Sequence, residues 1–115
     1  MASDLSFAEF VRDQARDAGQ VTFRKMFGEY AIYCDGKVVA FVCDNQLFIK
    51  PTVRGRATIG DVVEASPFPG AKAYFLIGEQ LDDRQCIARI IHDTASELPT
   101  PRPVKRKVER KSSGD

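Results

Sequence analysis

Two dipeptides, Asp35-Gly36 and Asp44-Asn45, interrupt an otherwise apolar run between Arg24 and Lys50, and they constrain the fold more than any other feature of the chain. A two-residue hairpin turn of type I′ needs positive φ at both central positions, which Gly, Asn and Asp accept most readily. The flanking runs are β-branched and aromatic, and Val21-Thr22-Phe23-Arg24-Lys25-Met26-Phe27, which breaks at Gly28, has the same character. The spacing predicts a β-meander over residues 24–50.

If both turns have two residues, Cys34 faces Lys37, Ile32 faces Val39, Tyr30 faces Phe41, and Phe41 in turn faces Phe48. Side-chain alternation then puts Tyr30, Ile32, Val39, Phe41 and Phe48 on one face. Ala31, Tyr33, Val38, Ala40, Val42, Leu47 and Ile49 fall on the other. Neither face is polar, so the sheet needs a cover on each side, and helices supply only one of them. A second copy of the chain is the economical cover for the other, which predicts a homodimer.

The first helix is expected from Ser6-Phe7-Ala8-Glu9, which has capping-box spacing, with Leu5 and Phe10 as a hydrophobic staple. Phe7, Phe10, Val11, Ala15 and Ala18 share a face, and Gly19 is the stop. A second long helix opens at Leu81-Asp82-Asp83-Arg84-Gln85, with Asp82 as cap. It buries Ile87, Ile90, Ile91, Thr94, Ala95 and Leu98, and Pro99 and Pro101 end it. Residues 51–69 read as a long connection with one helical turn around Ile59–Glu64. Ala71–Ile77 returns as a strand of the same sheet.

The chain has 115 residues, 43% of them hydrophobic, which fits one α+β domain with a core. No apolar run approaches the roughly 18 residues of a membrane span, and the N-terminal segment is unlike a signal peptide, so a soluble, cytoplasmic protein is expected. Cys34 and Cys43 fall at opposite ends of a hairpin, about 20 Å apart at about 3.3 Å per residue, beyond disulfide reach. With three cysteines and no C-x-x-C pair, the expectation is reduced, buried thiols and neither metal nor cofactor.

Net charge is +1, but residues 99–115 hold six Lys or Arg against two acidic residues, a local +4 that leaves −3 for residues 1–98. The division predicts one domain over 1–98 and a basic, disordered tail over 99–115.

The segment Arg24-Lys25-Met26-Phe27-Gly28-Glu29-Tyr30-Ala31-Ile32-Tyr33-Cys34-Asp35-Gly36-Lys37, continuing to Phe41, Asp44 and Leu47-Phe48-Ile49-Lys50, resembles the signature of the TfoX/Sxy N-terminal domain family. Its elements are R-x-M-F-G-x-Y, an aliphatic-aromatic pair, a D-G turn and an L-aromatic-aliphatic-K strand, all in order. Glu29 stands where many members have a second glycine. The resemblance covers the meander strongly, and the flanking helices and Pro67–Lys72 more loosely. It implies a two-layer α/β domain with a central antiparallel sheet packed by N- and C-terminal helices, like the secretion-chaperone fold, which often dimerises. The competence regulators that name the family carry a second helical domain, and the expectation here is a stand-alone first domain. A non-enzymatic regulatory or adaptor module is then expected, acting mainly by protein contact with a transcription-related partner. The alternative is a chaperone-like dimer that binds a peptide or small ligand.

Candidate contact residues follow from charge and position. Arg24 and Lys25 lie beside the Phe27-Gly28 bend, and Lys50 and Lys72 sit at strand ends, so the four cations could converge on an anion, with Gly28 and Tyr30 nearby. Solvated strand ends are the competing reading. Tyr30, Tyr33 and Phe48 are candidates for base stacking, but the register divides them between faces and favours packing. His92 reads as a surface residue suited to a helix end, and Asp82 and Asp83 as caps, so no catalytic set is expected. In the tail, Arg102, Lys105, Arg106, Lys107, Arg110 and Lys111 are candidates for weak, salt-sensitive contact with nucleic acid.

Overall fold

A computed structural model describes residues 3–99. The basic residues from Arg102 to Lys111 lie outside them. The sheet has six antiparallel strands in the order β1-β2-β3-β4-β6-β5. These are β1 (Val21–Met26), β2 (Glu29–Cys34), β3 (Lys37–Cys43), β4 (Gln46–Ile49), β5 (Val63–Ala65) and β6 (Tyr74–Ile77). Three helices, α1 (Leu5–Ala15), α2 (Val53–Ile59) and α3 (Arg84–Glu97), accompany it, giving the expected α+β architecture.

The meander lies where the turn dipeptides place it. Asp35, Gly36, Asp44 and Asn45 all have positive φ, between 52° and 82°. Phe27-Gly28 does the same at 53° and 83°, so the bend is a third two-residue turn, with an aromatic residue where glycine or asparagine is preferred. Cys34–Lys37 and Phe41–Phe48 pair as expected.

The register between β2 and β3 needs correction. Tyr33 pairs with Val38, but Ile32 pairs with Ala40 and Tyr30 with Val42, because Val39 is an extra residue in β3. This bulge turns both Val39 and Ala40 inward. Tyr30, Ile32 and Cys34 therefore share the helix-covered side with Ala40, Val42, Leu47 and Ile49 rather than with Phe41 and Phe48. Both faces still bury apolar side chains. On the second face Cys43, Phe48 and Tyr74 form a smaller cluster, supported by Phe41, Ala65 and Leu76. Part of its cover comes from the chain itself, since Phe68 meets Phe41 edge-on at 6.1 Å and Pro67 is buried.

The helix starts are displaced from their local signals. α1 begins at Leu5 behind Asp4, which makes no side-chain cap, so Ser6 is inside the helix and not its cap. Phe10, expected in the core, is 40% exposed, and Ala8 is buried with Val11 and Ala15. α3 is capped by Asp83, whose Oδ1 accepts the Cys86 amide at 3.1 Å, one residue after the expected Asp82. Asp82 belongs to the preceding 3₁₀ turn. The α3 stripe of Ile87, Ile90, Ile91, Thr94 and Ala95 is buried as read.

The connection over 51–69 holds more structure than one turn. Its helix is α2, upstream of the expected Ile59–Glu64, because Thr52 Oγ1 accepts the Gly55 amide at 2.9 Å and caps it there. β5 then forms the sheet edge beside β6. All three cysteines are free thiols, with Cys34 and Cys43 buried on opposite faces. Among the described residues, no helix is long and apolar enough to cross a membrane.

Candidate functional site

The predicted cations do not gather at one point. Arg24 lies opposite Ala31 on the second face, whereas Lys25 lies opposite Tyr30 and so alternates to the helix side. From Arg24 the pairing runs through Ala31 and Phe41 to Phe48, three strand spacings or about 14 Å, before Lys50 is reached further along. Lys50 and Lys72 do come together at the end of β4 and the approach to β6. Burial first, and the charge of Lys72 second, hold the Lys50 ammonium below its ordinary pKa. Lys50 also lines a cavity of about 250 Å³ with Lys37 and Pro99.

The aromatic candidates separate too. Tyr30 is buried in the helix-side core, edge-on to Phe23 with centroids 5.6 Å apart. Tyr33 and Phe48 share the second face by alternation. His92 is exposed near the end of α3, its Nδ1 3.3 Å from the Ala18 carbonyl.

A site lies at the Phe27 end of the second face; of the predicted contact residues Tyr30 lines it and Gly28 forms its turn, while sequence reasoning missed the rest. Three wall residues come from alternation: Met26 on β1, and Phe41 and Cys43 on β3. Phe68 closes the fourth side from the 66–73 segment. Together they bound a cavity of about 410 Å³, with Phe27 at its rim and Glu29 in its lining. Phe27 is fully exposed at 101%, Phe68 is 49% exposed and Met26 38%. A large apolar side chain held in water and in the left-handed region at once is an outlier on two counts.

A hydrogen-bonded clasp fixes this turn. The Ser3 amide donates to the Gly28 carbonyl at 3.0 Å, and the Ser3 hydroxyl donates to the Glu29 carboxylate. The Asn45 amide donates to Ser3 Oγ at 3.0 Å, and the Asp44 amide reaches both Glu29 oxygens at 3.3 Å. The Asp4 amide donates to Asn45 Oδ1 at 2.8 Å. The Phe27-Gly28 and Asp44-Asn45 turns are thereby tied through the start of the chain. The sequence hint was the Phe-Gly pair between two strands, which reads as a hairpin turn once the pairing is known.

Glu29 is the one charged group in the cavity lining. Its accepted hydrogen bonds come from neutral donors, and no Lys or Arg forms an ion pair with it among the described residues. Burial pushes the Cys43 thiol up to about 11, and the Glu29 charge adds to the effect. A larger depression of about 500 Å³ at the start of α3 brings Asp17 and Asp83 together with Arg89, so charges of both signs occupy it.

The family model of the TfoX N-terminal domain matches residues 13–97. A protein of Spirochaeta aurantia, described as an uncharacterized 12.7 kDa protein in the trpE 5′ region, is 41% identical over 114 residues. That alignment covers 99% of this chain and 97% of the relative. The Phe27-Gly28 turn, the two Asp turns and the six-stranded sheet all fall within the matched span, and the chain belongs to the TfoX N-terminal domain family.

Proposed function

We propose that the protein is a non-enzymatic regulatory or adaptor module of bacterial transcription control, acting mainly by protein contact through the second face of its sheet. The observation that carries this reading is Phe27, fully exposed at the tip of a clasped turn beside an apolar cavity. An exposed aromatic beside an apolar pocket, both desolvated on docking, is the kind of feature on which binding energy concentrates at protein contacts. Family membership supports the regulatory side of the reading. Weak, salt-sensitive contact with nucleic acid through the basic segment from Arg102 to Lys111 belongs to the same proposal.

A second reading is a dimeric, chaperone-like module that binds a peptide or small ligand. The features favouring it are the cavity and the exposed Met26, Val63 and Phe68, which a second copy would cover.

The test is immobilised full-length protein presented with purified bacterial RNA polymerase holoenzyme at low salt, with light scattering on the free protein. Saturable capture by the wild type, lost in Phe27→Ser, supports the adaptor. A particle of twice the 12.8 kDa chain mass at micromolar concentration, with no capture, supports the second reading. A monomer that captures nothing, in this assay and in a gel shift with duplex DNA, sinks both.

A further inference from the structure

The 410 Å³ cavity falls within the size range of small-molecule sites, roughly 300–1,000 Å³. Its walls are the rings of Phe41 and Phe68, the Met26 thioether and the Cys43 thiol, with Phe27 standing at the rim. Such a lining is soft and polarisable, and aromatic faces attract cations through their quadrupole. The clasp that orders this end of the sheet also holds Glu29 in place by donors that carry no charge. The cavity therefore has an apolar, aromatic body and a fixed negative charge without a cationic partner among the described residues.

We infer that this cavity binds a small organic cation, an ammonium group carried on an apolar or aromatic body, with Glu29 as counter-charge and the Phe41 and Phe68 rings as contact surface. Charge complementarity selects this class. A carboxylate ligand would face Glu29 and be repelled. A neutral ligand of the same shape gains the apolar contacts but neither the ion pairing nor the cation–π attraction. An inorganic cation would leave the apolar walls unused and would lose its hydration to a single carboxylate that already accepts hydrogen bonds. The inference rests on the second reading above and deepens it by naming the ligand class for the same cavity, and the probe series tests it without RNA polymerase capture or the dimer mass.

Three probes that share one benzyl group separate these cases: benzyltrimethylammonium, benzyl alcohol and phenylacetate. Each is titrated into the ¹⁵N-labelled full-length protein, following the amide shifts of Phe41, Cys43 and Phe68. The expected result is saturable shifts with the ammonium probe, affinity at least about tenfold weaker for the alcohol, and no binding of phenylacetate. In Glu29→Gln, checked as folded by its spectrum, the ammonium probe should lose most of its advantage over the alcohol and keep only the part that the Phe41 and Phe68 rings supply. Equal affinity of ammonium and alcohol overturns the inference. So does the absence of saturable shifts, or a cation preference that is undiminished in folded Glu29→Gln. Should that variant not fold, the three-probe series on the wild type decides alone.

Discussion

The Glu97 carboxylate, in the last turn of α3, accepts the backbone amides of Val53 and Arg54 at 3.1 and 2.9 Å, so a side chain more than forty residues away caps the start of α2. With Thr52 Oγ1 on the Gly55 amide, three of the unpaired donors at that helix start are satisfied. A helix of only seven residues is too short to stand on propensity alone. Glu97→Ala should therefore lower stability by about 1 kcal/mol, the usual size of a lost cap, with Glu97→Gln losing less. Urea unfolding monitored by circular dichroism measures it. Equal midpoints for the wild type and Glu97→Ala would show that the contact carries no stability.

The same helix meets α3 closely. A methyl group added at Gly55 would stand 2.7 Å from Thr52 Oγ1 and 3.1 Å from Thr94 Oγ1, both on buried residues. Helix propensity favours alanine over glycine by about 1 kcal/mol, so propensity alone forecasts a stabilised protein. The steric term should win, because Thr52 must leave its capping position to make room. Gly55→Ala is expected to be destabilised. A melting temperature above that of the wild type would show that the two threonines yield freely.

Phe27 sets stability against contact. Its φ of 53° costs an L-residue roughly 1–2 kcal/mol, and its side chain, fully exposed, recovers none of that by burial. Phe27→Asn creates the Asn-Gly pair that a type I′ turn prefers, and should raise stability by about 1 kcal/mol. If the exposed ring is a binding anchor, the stabilised variant should also lose partner capture. A variant both more stable and fully competent in capture would leave Phe27 with no contact role.

What the sequence disclosed and what it hid divide along the range of the interactions involved. The turns at Asp35-Gly36 and Asp44-Asn45 depend on the conformational tolerance of residues within the turn, so they were legible, as was the α3 stripe around Ile90 and Ile91. The Val39 bulge was not, because nothing in Lys37–Cys43 departs from a regular strand pattern. That one extra residue moved Tyr30 and Ile32 to the other side of the sheet. α2 is a mixed case: its Thr52 cap is local and open to reading, but Glu97, which satisfies the Val53 and Arg54 amides, is remote in sequence from the helix it caps. The cavity depends on Phe68 reaching Phe41 from a segment with weak local signals.

Lys50 and Lys72 offer an electrostatic test. Removing the second charge with Lys72→Gln should let the Lys50 pKa rise part of the way back toward 10.5, with burial holding it below. The sign for stability follows from the lowered folded value. Below it the charged Lys50 costs the fold stability, and this cost fades as pH rises through the folded pKa toward the unfolded one. At neutral pH, Lys72→Gln should be the more stable form by roughly a few tenths of a kcal/mol, because Lys72 is exposed and screened. The difference should shrink above pH 10. Side-chain NMR of the lysine ammonium groups checks the titration, and an unchanged Lys50 in Lys72→Gln would show that the two charges do not couple.

The thiols give the last prediction. Burial, reinforced by Asp35 for Cys34 and by Glu29 for Cys43, pushes both up from 9.0 to about 11. At pH 8 only about one thiol in a thousand would then be ionised at either position. Cys86 is also raised, by burial and then Asp83, but it is only half-buried on α3. Iodoacetamide at pH 8 should therefore alkylate Cys86 first, as read by mass spectrometry of the peptides, with Cys34 and Cys43 following only as the protein opens. Both buried groups are protonated in the fold and have a raised folded pKa. Their contribution is thus complete below about pH 9 and is lost as pH rises toward about 11, opposite in direction to the Lys50 effect. Denaturant midpoints should fall across that window in the wild type and fall less in Cys34→Ala, compared with its own value at pH 8. Early labelling of Cys34 or Cys43 in the folded protein would mean that these thiols meet solvent more often than their burial allows.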